Sequence, residues 1–187
     1  MIPEDKAPEN GGVALRPITE EDTPDILRWR NSGFVRSNFI WQQELPEEAH
    51  LRWMRERVET GEVVQFIILL NGLPVGSVFL RDVDHGHRKA EFGIFIGEES
   101  ARGKGVGTGT ARQILRHAFD EMNLHRVFLR VYEENATAIR SYEKAGFCKE
   151  GVLADDVFTD GRFRNIVLMA ALNPHEANTK PEEAGPL

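Results

Sequence analysis

The sequence predicts a mixed α/β (α+β) fold of one domain, with a mostly antiparallel sheet of seven strands and about four helices. Three observations carry that expectation. Apolar spacing is helical before Gly61 and changes to strand-like runs from Val63; three such runs follow one another up to Ile96; and a glycine-rich loop then leads into an amphipathic helix. A chain of 187 residues, 41% hydrophobic and 28% charged, has the size and composition of a single-core domain.

Taken in order, Val13–Pro17 reads as the first strand. Thr19-Glu20-Glu21-Asp22 has the form of a helix start, a threonine cap followed by acids where the helix dipole favours them, and a first helix runs to about Arg30. Pro46 suits the first position of a second helix, in which Leu51, Met54 and Val58 recur at helical spacing. The linker between them, 31–45, holds Phe34, Phe39, Ile40 and Trp41, and so apolar a segment is expected to fold back over the body. Residues 63–70 and 73–80 flank the turn pair Asn71-Gly72, a strong hairpin signal, with Pro74 confined to a strand start or edge. After a turn at 82–86, Lys89–Ile96 alternates, placing Ala90, Phe92, Ile94 and Ile96 on one face and Glu91, Gly93 and Phe95 on the other. Val106, Thr110, Ile114, Ala118 and Met122 form one stripe of a third helix. Residues 126–131 are β-rich, Ala136–Ala145 is helical, and 147–172 is a strand pair turned at Asp160-Gly161.

Composition excludes several function classes. The longest apolar run, 166–172, is far below the roughly 18 residues that cross a bilayer, and no signal-type apolar core opens the chain. The single cysteine, Cys148, allows no intrachain disulfide, so a reducing cytoplasm is the expected setting. The net charge is −7; residues 1–12 carry Glu4, Asp5 and Glu9 against Lys6, and 173–187 carry Glu176, Glu182 and Glu183 against Lys180, so each end is −2 and the body −3. Both ends are poor in large apolar residues and are expected to be flexible tails around a domain at 13–172. An acidic body disfavours nucleic acid and anionic membrane as partners. Asp82, Asp84, His85 and His87 have no fixed metal-ligand spacing and read as a solvated turn, so no metal is expected.

Arg102-Gly103-Lys104-Gly105-Val106-Gly107-Thr108-Gly109 joins a strand to a helix, where backbone N–H groups and the helix dipole receive anions. It is not a nucleotide P-loop, because Lys104 is followed by Gly105 rather than Ser or Thr, and it fails the dinucleotide fingerprint because Thr108 or Thr110 falls where the third glycine belongs. Arg102 to Gly107 resembles instead the Arg/Gln-x-x-Gly-x-Gly/Ala pyrophosphate loop of the GNAT acetyltransferase superfamily. The segment from Asn135 through Tyr142 to Gly146-Phe147 is similar to that family's second cofactor segment. With Asn123-Leu124-His125-Arg126 and Asp160-Gly161-Arg162, the likeness covers about 13–172 and is nearest the branch of ribosomal-protein N-terminal and spermidine acetyltransferases. The loop at 97–101 is one residue longer than in some relatives.

The resemblance implies a GNAT acyl-CoA N-acyltransferase fold, splayed to admit acetyl-CoA, and direct transfer of acetyl to a primary amine of a small molecule, an amino sugar, sugar nucleotide or polyamine. A protein N-terminus is the alternative acceptor, and a non-catalytic acyl-CoA module the alternative class; dimers are common in the family, so a homodimer is the assembly the resemblance allows. It implies cofactor contacts from Phe95, Ile96, Arg102, Gly103, Lys104, Gly105, Val106, Gly107, Thr108 and Asn135, and Tyr142 as general acid toward the CoA sulfur. It implies acceptor contacts from Trp29, Arg30, Asn31, His50 and Glu91. Acetylation needs a neutral amine, a polarised thioester and a proton for the thiolate. Glu91 is the leading candidate base, with an edge-strand charge or a partner for Arg88 as the competing reading and His85 and His87 the runners-up.

Overall fold

The computed structural model describes residues 12–176. The tail expectations fall outside the described residues, except at Gly12 and at 173–176. The second stretch is bound to the body: Asn173 is buried and donates from its backbone to the His125 carbonyl at 2.8 Å, and Glu176 pairs with Arg88 and His125.

Seven strands form one sheet: β1 (Val13–Pro17), β2 (Val64–Leu70), β3 (Leu73–Asp84), β4 (Lys89–Ile96), β5 (Arg126–Tyr132), β6 (Cys148–Thr159) and β7 (Arg162–Leu172), ordered β1-β2-β3-β4-β5-β7-β6. All neighbours are antiparallel except β4 and β5. The Asn71-Gly72 hairpin forms as expected, with φ of 52° and 81°, the left-handed pair that a two-residue turn needs to match strand twist.

Five helices are described: α1 (Thr23–Arg30), α2 (Gly33–Ser37), α3 (Glu47–Trp53), α4 (Val106–Arg116) and α5 (Ala136–Ala145), with π-type turns extending α3 over 54–58 and α4 over 117–121. Three differences from the sequence expectation are local. The acids after Thr19 form a separate 3-10 turn, Glu20–Asp22, and the helix proper starts at Thr23. Pro46 is the cap of α3 rather than its first residue, and the apolar linker contains the short α2, whose Ser32 hydroxyl accepts from the Val35 amide. The linker does fold back: Phe39 meets Phe95 edge-on at 5.8 Å between ring centres, and Tyr132 donates to the Phe39 carbonyl at 3.2 Å.

Each face of the sheet has its own core. On one, Val106, Ala111, Ile114 and Ala118 of α4 and its extension bury against Phe92, Val127, Leu129 and Met169, each large aliphatic contributing roughly 1.5–3 kcal/mol. On the other, Ile26, Trp29, Val35 and Met54 pack on Ile67 and Phe95. Gly97 is required here, because a Cβ would lie 2.0 Å from the Trp29 ring.

The sheet opens in its middle. β4 and β5 are paired only at Lys89↔Arg126, Ala90↔Val127 and Glu91↔Phe128. Beyond that point β4 follows β3 to Ile96 and β5 follows β7 to Tyr132, leaving the facing edges unpaired.

Candidate active site

A cleft of about 730 Å³ occupies the gap between β4 and β5 and opens to both faces of the sheet. Strand alternation assigns the faces. Phe92 points toward α5, its ring 5.7 Å from Tyr142 and 5.5 Å from Phe147, whereas Phe95 points beneath α1 and α2, against Trp29 and Phe39. Glu91 shares the Phe95 face.

On the α4–α5 side the wall is built for an anion. Gly103 and Gly105 have φ of 72° and 76°, and Gly105 caps α4 in a left-handed conformation that turns the first amides outward. The amides of Val106, Gly107 and Thr108 have no acceptor within the helix, and its first turn contains no acid to compete. Gly103, Gly105, Val106, Gly107 and Thr108 line the cleft; Lys104 is exposed and lies off the wall. Arg102 lines it too, but its guanidinium donates to the carbonyls of Ile96 (3.3 Å) and Gly97 (2.8 Å) and stacks 3.6 Å over Phe34, tying the loop to the end of β4 and to α2. Phe95 and Ile96 line the unpaired edge. Two cations missing from the sequence expectation, Arg140 and Lys144, join Thr137 and Ser141 on the wall. Their spacing over 137–144 is one helix face, and that periodicity was the available signal. Thr108 and Ser141 are hydrogen-bonded at 2.8 Å, joining α4 to α5 beside the loop.

Asn135 caps α5 by accepting from the Ala138 amide at 3.1 Å and donates to Asn38 at 3.0 Å, so it links α5 to the linker across the cleft mouth. Gly146, at φ 113°, ends the helix, with its own amide and that of Phe147 returning to the Tyr142 carbonyl. These two caps fix the helix that aims Tyr142. The Tyr142 hydroxyl makes no hydrogen bond to any described residue, and burial of the phenol among Phe92 and Phe147 pushes its pKa up to about 12.

The other side differs from the expectation in several residues. Glu91 is buried and fully engaged: one oxygen accepts from Arg81 Nε and Nη2 at 3.1 and 3.0 Å, the other from Arg130 Nε at 3.1 Å. Burial alone would raise its carboxyl, but the two guanidiniums outweigh it and hold it below the usual range. The carboxylate is thus engaged in an ion pair with Arg81 and Arg130 rather than with Arg88. Trp29 is 1% exposed, donates to Glu98 at 2.8 Å and belongs to the core rather than to an acceptor pocket. Asn31 closes the linker by a two-way bond with the Leu45 backbone, 3.0 and 2.7 Å, and His50 is buried in α3 with its pKa lowered by burial. Arg30 lies 3.8 Å over Phe39 and donates to the Trp41 carbonyl, with its pKa lowered to about 10 by burial. None of these four lines the cleft, and neither do His85 and His87 in the exposed β3–β4 turn. The cleft on this side is lined instead by Phe39, Ile40, Trp41, Phe79, Arg81, Arg130 and Tyr132.

The family profile described as an acetyltransferase (GNAT) domain matches residues 13–148. The chain belongs to the GNAT acetyltransferases. Among relatives, this GNAT chain is 36% identical over 174 residues to the spermidine N(1)-acetyltransferase of Vibrio cholerae, covering 90% of this chain and 98% of that one. It is 33% identical over 165 residues to the enzyme of the same name from Escherichia coli, covering 87% of each. A solved structure of spermidine N-acetyltransferase from Vibrio cholerae in complex with CoA and spermine superimposes with a TM-score of 0.82 at 26% identity, over 88% of this chain and 97% of that one. No helix among the described residues is long and apolar enough to cross a membrane.

Proposed function

We propose that this acetyltransferase moves the acetyl group of acetyl-CoA directly onto a primary amine of a small molecule, with Tyr142 assisting departure of the CoA sulfur. The observation that carries the reading is the pairing of a β4–β5 gap open to both faces with an unbonded Tyr142 hydroxyl on its wall. The pyrophosphate of acetyl-CoA suits the amides of residues 105–108 and the cations Arg140 and Lys144. The extended pantetheine arm suits the unpaired edge of β4 up to Ile96.

In the reaction the amine nitrogen bonds to the thioester carbon, the C–S bond breaks and the sulfur leaves as thiolate, toward which Tyr142 directs its O–H. The nucleophile must be neutral. The ammonium's proton passes to solvent through the cleft before the nitrogen attacks. Glu91 then acts as a positioning residue that holds both guanidiniums. Likeness to the spermidine acetyltransferases places polyamines on the acceptor panel. The test is CoA-thiol release across polyamines, amino sugars free and nucleotide-linked, and short peptides. Release with a small amine is expected; release only with peptides would indicate a protein N-terminal enzyme, and acetyl-CoA binding with no release would indicate a non-catalytic module.

A further inference from the structure

The charges on the cleft wall are lopsided. In a chain of net charge −7 the wall carries Arg81, Arg102, Arg130, Arg140 and Lys144, and its one acid among the described residues is Glu91. Arg102, Arg140 and Lys144 sit with the glycine loop and α5, where a pyrophosphate belongs. Arg81 and Arg130 are on the opposite side, on β3 and β5, where the amine must enter.

Donor accounting shows what these two arginines have left. A guanidinium offers five N–H groups and Glu91 uses only Nε and Nη2 of Arg81 and Nε of Arg130. Arg81 has one further, long contact of 3.9 Å to Asp82 from the same Nε. Arg81 Nη1 and both terminal nitrogens of Arg130 make no hydrogen bond to any described residue, while the two side chains are about one third exposed, at 28% and 35%. The terminal edge of a guanidinium is the planar fork that grips a carboxylate or phosphate through two parallel N–H bonds. Two guanidiniums share one carboxylate on the wall, so the part of the cluster that lines the cleft keeps a net +1, with Asp82 off the wall. An ammonium with a second cationic centre would find no unengaged acid on the described wall and would meet that charge.

We infer that the acceptor is an amine that also carries an anionic group, a phosphate or a carboxylate, and that this group docks on Arg130 and Arg81 while Glu91 fixes their orientation. The inference rests on the acetyltransferase reading above and names the substrate class of the same site. An anion there offsets the net charge and leaves the amine as the group presented to the gap between β4 and β5. It also makes Arg130 a specificity residue: the wrong acceptor leaves its fork unpaired, and the right one is held at two points.

Matched acceptors test this with the full chain and acetyl-CoA, reading thiol release. Glucosamine 6-phosphate is compared with glucosamine, glycine with glycinamide, and spermidine stands as the polycation; the first two pairs distinguish phosphate from carboxylate. The anionic member of at least one pair is expected to have a kcat/KM higher by about tenfold or more, the scale of a charge-assisted pair. In Arg130→Gln that ratio falls toward one, and Arg130→Lys restores part of it. Should Arg130→Gln fail to fold, inorganic phosphate on the unaltered protein decides: inhibition competitive with the acceptor supports the inference, and inhibition competitive only with acetyl-CoA overturns it. Equal turnover within both pairs, or preference for spermidine that Arg130→Gln leaves in place, overturns the inference alone. No release with any amine overturns the catalytic reading and the inference together.

Discussion

Replacing Tyr142 by phenylalanine isolates one hydroxyl, and the structure sets the size of its effect. The phenol pKa of about 12 lies well above that of an ordinary thiol, ~8.5, so complete proton transfer from tyrosine to thiolate is uphill by roughly 5 kcal/mol at 1.36 kcal/mol per unit. Full general-acid transfer is therefore the smaller contribution. What the hydroxyl supplies is a charge-assisted hydrogen bond to the developing thiolate, worth about 1.5–3 kcal/mol, or roughly ten- to hundredfold in rate. The ring stays packed between Phe92 and Phe147, and no hydrogen bond to a described residue is broken, so the described fold loses nothing that melting would detect. Single-turnover acetyl transfer in Tyr142→Phe should fall by that factor, with acetyl-CoA affinity and melting temperature within error of the parent. An unchanged single-turnover rate would refute the placement of the hydroxyl at the sulfur. A loss of several thousandfold would refute the hydrogen-bond account and restore full proton transfer.

Three further outcomes follow from the geometry. Gly97→Ala sets a Cβ 2.0 Å from the Trp29 ring, and the forced shift should lower stability by about 1–3 kcal/mol in a denaturant titration, at the level of an overpacked core. Asn135→Ala removes the α5 cap and the bond to Asn38, costing about 1 kcal/mol in stability and raising the KM for acetyl-CoA, both measurable on one preparation. His50 is neutral in the fold because burial lowers its pKa, whereas the unfolded chain gains the proton as pH falls below ~6.5, so stability present above that value is lost on acidification. His50→Leu should flatten the fall in melting temperature between neutral pH and pH 5, and an identical slope would sink that assignment.

Much of the frame was legible because it is local. The period-two run of β4, the stripe of α4, the Asn71-Gly72 turn and the Asn135 and Gly146 caps depend on neighbours a few residues away, and each appears where its residues predict. The glycine loop was legible for the same reason, since anion-ready amides at a helix start need only left-handed residues in sequence. The short α2 was obscured by its own apolar residues, which read as a covering loop although Ser32 was present as a cap.

What the sequence by itself determined is therefore most of the elements, the glycine loop and the helix that carries Tyr142. Tertiary structure decided which edges meet and which side chains share a charge. The order β5-β7-β6 and the opening after Glu91↔Phe128 join segments far apart in the chain, and no periodicity encodes them. The same holds for the Glu91 side of the cleft. Glu91 meets Arg81 ten residues before it and Arg130 thirty-nine after it, while Trp29, Asn31 and His50 are drawn into the core and the linker. An ionisable side chain's chemistry is set by its burial and its charged neighbours, and those are fixed only once the sheet has closed around it.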